Sequence, residues 1–131
     1  MEVTSGVHVQ VSPFTFLETV DRLQALIAAR NLQLFDVIDH QAAAAGVGLE
    51  LRPTRVLVFG SPAGGTPLMH EWPALALCLP LRIAVWQGDD GLTRLAHRTR
   101  EALIAQFDLD PERVDPLALP AAIIANLVDQ S

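Results

Sequence analysis

Residues 56–69 read Val-Leu-Val-Phe-Gly-Ser-Pro-Ala-Gly-Gly-Thr-Pro-Leu-Met, and this stretch decides the fold that the sequence predicts. Its first four residues are all apolar, which favours a strand buried inside a sheet. Three glycines and two prolines follow, and Thr66 with Pro67 is a suitable start for a short helix. We therefore expect an interior strand that passes through a constrained loop into a helix.

Other segments carry strand and helix patterns on both sides of this stretch. Strand patterns occur at residues 7–11, 32–40, 81–87 and 92–97, and the last two form a predicted hairpin around a Gly-Asp-Asp-Gly turn. An amphipathic helix is predicted from apolar residues at spacings of four, three and four, and Asn31 is a suitable terminator for it. The last residues, from Leu119 onward, predict an apolar helix.

This order of elements predicts an α+β fold, with an antiparallel sheet and helices packed on one face. One hydrophobic core is expected to hold the apolar positions of the first helix and of three strands. These are Phe16, Val20, Leu23, Ile27, Val56, Val58, Ile83 and Val85.

Composition restricts the class of protein. The 131 residues fit a single domain, 1–131, and half of them are apolar. The net charge of −6 opposes nucleic-acid binding, because phosphate contact needs a basic surface. The apolar runs are too short to span a bilayer, so no membrane role is expected. One cysteine, Cys78, excludes an intrachain disulfide, and with no secretory signal visible the expected location is cytoplasmic.

The glycine-rich stretch is the first candidate binding site. It partly matches a phosphate-binding P-loop, but the chain contains no lysine to complete that motif. Two interpretations stay open: a tight structural connection, or a loop whose backbone N–H groups bind a small anionic or polar ligand. The candidate ligand-binding residues are Gly60, Ser61, Gly64, Gly65 and Thr66, together with His40.

Asp39 and His40 form the second candidate, a carboxylate beside an imidazole. Neighbouring strand residues point to opposite faces, so the two act as a pair only if the strand ends there. Both are candidate catalytic residues, with His40 as general acid or base. The four histidines and Cys78 lack the spacing of a metal site, so neither a metal nor a cofactor is expected.

The chain also resembles the family catalogued as domain of unknown function 302. The matching residues are Ile38-Asp39-His40, Ala43-Ala44, Gly46, Gly48, Leu51-Arg52-Pro53-Thr54, Val58-Phe59-Gly60, Pro62, Gly65-Thr66, Leu68-Met69 and Leu79-Pro80-Leu81. Ser61 and Cys78 depart from the family pattern, where asparagine and aspartate are expected. The resemblance implies a small α+β fold similar to the TATA-binding-protein-like arrangement, commonly dimeric, and it implies no activity.

Together these observations predict a homodimeric module that binds a small ligand or a partner, with its pocket between the glycine loop and His40. The alternative is a small enzyme that uses His40 with loop N–H groups as an anion hole. The homodimer is expected because residues 72–81 and the final helix carry more apolar surface than a small chain buries alone.

Overall fold

The computed structural model describes residues 2–131 and builds six strands and five helices from that part of the chain. The strands are β1 (Glu2–Thr4), β2 (Val7–Val11), β3 (Gln33–Asp39), β4 (Thr54–Gly60), β5 (Leu81–Gln87) and β6 (Thr93–Arg98). The helices are α1 (Phe16–Ala29), α2 (His40–Gly46), α3 (Pro62–Glu71), α4 (Arg100–Phe107) and α5 (Leu119–Val128). Short 3₁₀ turns cover Pro73–Leu77, Pro111–Arg113 and Asp115–Ala118.

All six strands belong to one sheet in the order β1-β2-β6-β5-β4-β3, and every neighbouring pair is antiparallel. The helices pack on one face of this sheet, which confirms the predicted α+β class. Strand β4 lies between β3 and β5, so the apolar stretch at residues 56–59 is an interior strand, as predicted.

Helix α1 supplies the largest block of the core. Thr15 caps its start, since its hydroxyl accepts a hydrogen bond from the Glu18 N–H at 3.3 Å. Asn31 adopts a φ of 57° just after its end, the left-handed conformation that terminates helices. The apolar stripe of the helix is buried against the sheet, as predicted, through Phe16, Val20, Leu23 and Ile27.

The face of β4 that joins the core differs from the prediction. Leu57 and Phe59 are fully buried among the helices, whereas Val56 and Val58 point to the opposite face. Val58 is buried, as expected, but neither valine belongs to the core beneath the helices, so the expectation that both lie in that one core is wrong. Four successive apolar residues carry no alternation, so their sequence could not identify which parity faces the helices.

The apolar segments expected to form a subunit interface are used within the chain. Leu75 is fully buried, and Ile123, Ile124 and Leu127 of α5 are buried in the core that α1 helps to form. The prediction that these segments leave surplus apolar surface is therefore wrong for these side chains. Apolar surface remains on the sheet face opposite the helices.

The alternating residues of β2 place their valines on that opposite face. His8 pairs in register with His97 of β6, and their rings meet edge to face with centroids 5.4 Å apart. His97 is buried on the helix side of the sheet. Consequently Val7, Val9 and Val11 face away from the helices, and Val11 is 45% exposed.

His97 is a buried, neutral histidine. Its Nδ1–H donates to the Arg98 carbonyl at 3.0 Å, while Nε2 has no hydrogen-bond partner in the described part of the chain. Burial lowers the pKa of His97, and the nearby His8 ring lowers it further. The hydrogen bond to Arg98 and the charge of Glu101 raise this pKa, each by less than burial lowers it. The folded protein therefore resists protonation of this ring.

This predicts a pH-dependent loss of stability. Unfolded His97 binds a proton near its ordinary pKa of 6.5, whereas folded His97 does so only at lower pH. Above pH 6.5 the His97 contribution to the free energy of unfolding should be constant. As the pH is lowered from the unfolded pKa to the folded pKa, the free energy of unfolding should decrease by at most about 1.4 kcal/mol per pH unit. Urea denaturation between about pH 7.5 and 5.5 measures this slope.

The matched variants are His97→Gln and His40→Gln. His97→Gln should remove most of the slope, and His40→Gln should keep it because this exposed position lies away from the His97 ring and its partners. An unchanged slope in His97→Gln would contradict the assignment.

Candidate functional site

The glycine-rich stretch is a direct strand-to-helix junction. Strand β4 ends at Gly60, Ser61 caps the helix, and α3 begins at Pro62. The expectation that the helix starts at Thr66 is wrong, because Ser61 with Pro62 forms an earlier cap and first-turn proline. Pro67 lies inside the helix.

The backbone donors of this junction are engaged within the chain. The Gly64 N–H donates to the Ser61 hydroxyl at 3.2 Å and to the Ser61 carbonyl at 3.0 Å. The Gly65 N–H donates to the same carbonyl at 2.8 Å. An anion could use these donors only by displacing Ser61, so the geometry favours the structural interpretation of the glycines.

A cavity of about 330 Å³ lies beside this junction. The start of α3, the end of β4 and the segment that leads into β5 form its walls, and residues near the start of α5 close it. It is lined by Phe35, Gly60, Ser61, Pro62, Gly65, Thr66, Leu68, Met69, Leu79, Pro80, Leu81, Pro116 and Leu119. Four of the predicted site residues, Gly60, Ser61, Gly65 and Thr66, therefore share one cavity.

The lining is apolar. No charged side chain reaches this cavity, and among its lining side chains only Ser61 and Thr66 carry hydroxyl groups. Such a surface receives apolar groups, and the two hydroxyls can orient a ligand by hydrogen bonds. The cavity does not suit the small anionic ligand that the sequence suggested, because an unpaired charge there would lose its hydration.

Gly65 keeps part of this space open. A Cβ atom at this position would lie 3.6 Å from Leu79 Cδ1 and 3.9 Å from Met69 Cε, two lining side chains. A larger side chain would extend further between them. The glycine in the second turn of α3 thus lowers helix propensity but preserves cavity volume.

Phe35 reaches the cavity through a β-bulge. The β3–β4 register shifts between Leu34 and Asp36, which leaves Phe35 as the extra residue. Its ring lies 3.9 Å from the position of a Cβ atom on Gly60. Sequence alone did not indicate what Phe35 contacts.

His40 lies far from this cavity. In the antiparallel β3–β4 pair, Gly60 is in register with Gln33 whereas Arg55 is in register with Asp39, next to His40. The five residue steps from Arg55 to Gly60 span roughly 17 Å. The expected pocket between the glycine loop and His40 is therefore wrong.

Asp39 and His40 have structural positions at the start of α2. The Asp39 carboxylate accepts from the Ala42 N–H at 2.9 Å and lies 3.6 Å from Arg55 Nε. His40 is the exposed first residue of the helix and does not line the cavity beside Gly60. The strand does end at Asp39, which is the condition under which Asp39 and His40 could act as a pair. The Asp39 carboxylate, however, is used as the cap of helix α2.

Residues 2–131 contain no cluster of three or more His, Cys, Asp or Glu side chains placed to hold a metal ion. Sequence analysis proposed none of the other lining residues as ligand-binding, namely Phe35, Pro62, Leu68, Met69, Leu79, Pro80, Leu81, Pro116 and Leu119. Six of them belong to the family pattern, but Phe35, Pro116 and Leu119 come from separate elements that no local motif marks.

Two proteins from Brucella match part of the chain. The fluoride-specific ion channel FluC 1 of Brucella suis and that of Brucella abortus are each 34% identical over 89 residues, which is 68% of this chain. The match covers 35% and 33% of their lengths, so the chain spans about a third of these curated relatives. In the described part of the chain, no helix has both the length and the apolar character needed to cross a membrane.

A solved structure and a family match cover nearly the whole chain. The crystal structure of an uncharacterized conserved DUF302 protein from Bacillus stearothermophilus superposes with a TM-score of 0.79 and 17% identity, covering 97% of this chain and 98% of that one. The family described as Domain of unknown function DUF302 matches residues 7–126. The resemblance drawn from the sequence is confirmed: the chain belongs to the DUF302 family.

Proposed function

We propose that this protein is a small-molecule-binding module that acts as a homodimer. The observation that carries the proposal is the apolar cavity beside the β4–α3 junction. At about 330 Å³ it lies near the lower end of the size range of ligand pockets, roughly 300–1,000 Å³. The predicted cytoplasmic location stays a prediction.

The ligand is a compact, uncharged and mainly apolar molecule. Phe35, Leu79 and Leu119 offer it apolar contacts, and the Ser61 and Thr66 hydroxyls offer it hydrogen bonds. The Ser61 oxygen already accepts the Gly64 N–H, but its own hydroxyl proton is available to donate to a ligand. A ligand with one hydroxyl or carbonyl group on an apolar body fits this arrangement best.

The alternative, an enzyme based on His40, lacks geometric support. Its mechanism needs His40 beside the glycine N–H groups, whereas these lie at opposite ends of β4 and the Gly64 and Gly65 donors are occupied. We therefore favour binding over catalysis.

The cavity proposal predicts selective binding of an uncharged probe. Benzyl alcohol should shift the ¹³C-methyl resonance of Met69 in a saturable titration, and sodium phosphate should not. The chain has only two methionines, Met1 and Met69, so the spectrum is simple to assign. A shift with phosphate and none with benzyl alcohol would reverse the proposed ligand class.

Gly65→Leu tests the cavity directly. The leucine side chain should fill the space beside Leu79 and Met69 and weaken benzyl alcohol binding about tenfold or more, while better helix propensity keeps the fold stable. Ala63→Leu is the matched control, since Ala63 is exposed on the same helix and does not line the cavity. Equal binding by both variants would place the probe elsewhere.

The homodimer is supported by the sheet face opposite the helices. One row of this face runs across five strands in register and is entirely apolar: Val9, Ala96, Ala84, Val56 and Ile38. Each of these side chains is only half-buried within one chain. Two alanines at the centre leave this part of the face without large side chains, which suits close face-to-face packing with a second copy.

The area of this face is also compatible with a second copy, and its arginines lie outside the apolar row, with Arg82 and Arg98 toward one end beside Val58 and Val7 and Arg94 toward the other. Arg94 lies in the next row, beside Trp86, and donates to both Asp90 oxygens at 2.9 and 2.8 Å. This hydrogen bonding lowers the pKa of Asp90 to about 2, so the charge of Arg94 is already paired within its own chain. Six strands about 4.8 Å apart and about five residues long give a planar area of roughly 500 Å² per copy. Two copies would cover about 1,000 Å², which is near the lower limit for specific interfaces.

Ala84→Arg should therefore dissociate the dimer. A charge in the centre of the face would lose its hydration without a partner, which costs several kcal/mol. Sedimentation velocity should show twice the chain mass of 14.2 kDa for the unmodified protein and the monomer mass for the variant.

Ala121→Arg, on the exposed side of α5, is the control and should stay dimeric. A monomeric unmodified protein at micromolar concentration, or a dimeric Ala84→Arg variant, would contradict this interface.

A further inference from the structure

A second cavity, also about 330 Å³, lies at the end of the sheet where β5 begins and β6 ends. The segment from Cys78 to Leu81 separates it from the cavity described above, and Leu81 lines both. Its lining residues are Leu77, Cys78, Leu81, Arg82, Arg98, Leu103 and Pro120. The proposed function does not use this cavity.

Two arginines give this cavity its charge. The ion pairs among the described residues involve Arg52, Arg55, Arg94 and Arg113, and none involves Arg82 or Arg98. No acidic side chain lines the cavity. In a chain of net charge −6, two guanidinium groups without a carboxylate partner form a local positive site.

Neutral partners hold one of these arginines in place. The Arg98 Nη1–H donates to Cys78 Sγ at 2.9 Å, and Nη2–H donates to the Gln106 side-chain oxygen. These contacts orient the guanidinium group without neutralising it. Its conformation is therefore fixed in part before an anion arrives, which reduces the entropy lost on binding.

The rest of the cavity is apolar. Leu81, Leu103 and Pro120 are buried and form its floor. Leu77 stands at the cavity and is 84% exposed, a larger exposed fraction than that of the other large apolar side chains described. An inorganic anion would leave these surfaces unused, whereas an anion with an apolar body would cover them.

We propose that this cavity binds a small monocarboxylate with a compact apolar body. The carboxylate contacts the guanidinium groups of Arg82 and Arg98, since the planar guanidinium matches the two oxygens of a carboxylate. The apolar body packs on Leu81, Leu103 and Pro120, below Leu77. This gives the protein a site for an anionic ligand that is separate from the site for an uncharged one.

The single cysteine provides a direct test with the full-length protein. Cys78 lines the cavity, so an occupied site should shield its thiol from iodoacetamide, and intact-mass measurement counts one addition per chain. Sodium benzoate should slow the alkylation in a saturable manner. Benzamide has the same shape without the charge, and phosphate has the charge without the apolar body. At equal concentration and ionic strength, both should protect much less.

Arg82→Gln is the main variant, because Arg82 is exposed and, unlike Arg98, does not donate a hydrogen bond to the Cys78 thiol, so its loss spares the fold and the cysteine. The benzoate concentration for half protection should rise about tenfold, the loss typical of a charge-assisted hydrogen bond. Arg52→Gln removes the same charge near the turn between β5 and β6, where Arg52 pairs with Asp89, and should leave protection unchanged.

Several results would overturn the proposal. These are equal protection by benzamide or phosphate, or an Arg82→Gln variant that is protected like the unmodified protein. Absence of benzoate protection, with unshifted Arg82 and Arg98 Nε–H resonances in the same titration, would also overturn it. The Met69 methyl resonance distinguishes the two sites, since Met69 lines only the first cavity: benzoate should leave it unshifted whether or not benzyl alcohol binds there.

Discussion

The packing of helix α1 on one face of the sheet is the interaction on which the other features depend. Val20, Leu23 and Ile27 are essentially inaccessible to solvent, and they meet Leu57, Phe59, Ile83 and Val85 in one core. Helix α5 packs beside α1 and completes this layer. Because the large apolar side chains converge on this face, the opposite face keeps a row of small and β-branched residues that no helix covers, which is the surface we propose for a second copy.

The antiparallel register of β3 and β4 decides which candidate residues can act together. It fixes Asp39 beside Arg55 and Gly60 beside Gln33, and so separates His40 from the glycine-rich junction. The same pair of strands contains the bulge that brings Phe35 to the cavity beside Gly60. This one strand pairing therefore contradicts the geometry that the enzyme hypothesis requires. It also supplies one wall of the proposed binding site.

The segment from Cys78 to Leu81 divides two cavities of similar size and different chemistry. On one side the lining is apolar with two hydroxyls, and on the other two arginines stand above an apolar floor. The difference arises where the segment enters β5, because Leu81 points into the core and lines both cavities while Arg82 alternates to the other side. Two small ligands of different charge could therefore contact the same short segment of backbone.

The sequence by itself determined the fold class, the helix that buries Phe16 to Ile27 and the β5–β6 hairpin, because these follow from local periodicity, caps and turns. The family followed from a different signal, the resemblance of residues between Ile38 and Leu81 to the family pattern. The sequence also pointed to Gly60, Ser61, Gly65 and Thr66, which do line one cavity. Only the tertiary structure decided that Leu57 and Phe59, rather than Val56 and Val58, face the helices, and that His40 lies apart from Gly60. Strand register and the meeting of Phe35, Leu79 and Leu119 depend on contacts between distant segments, and no local pattern encodes those contacts.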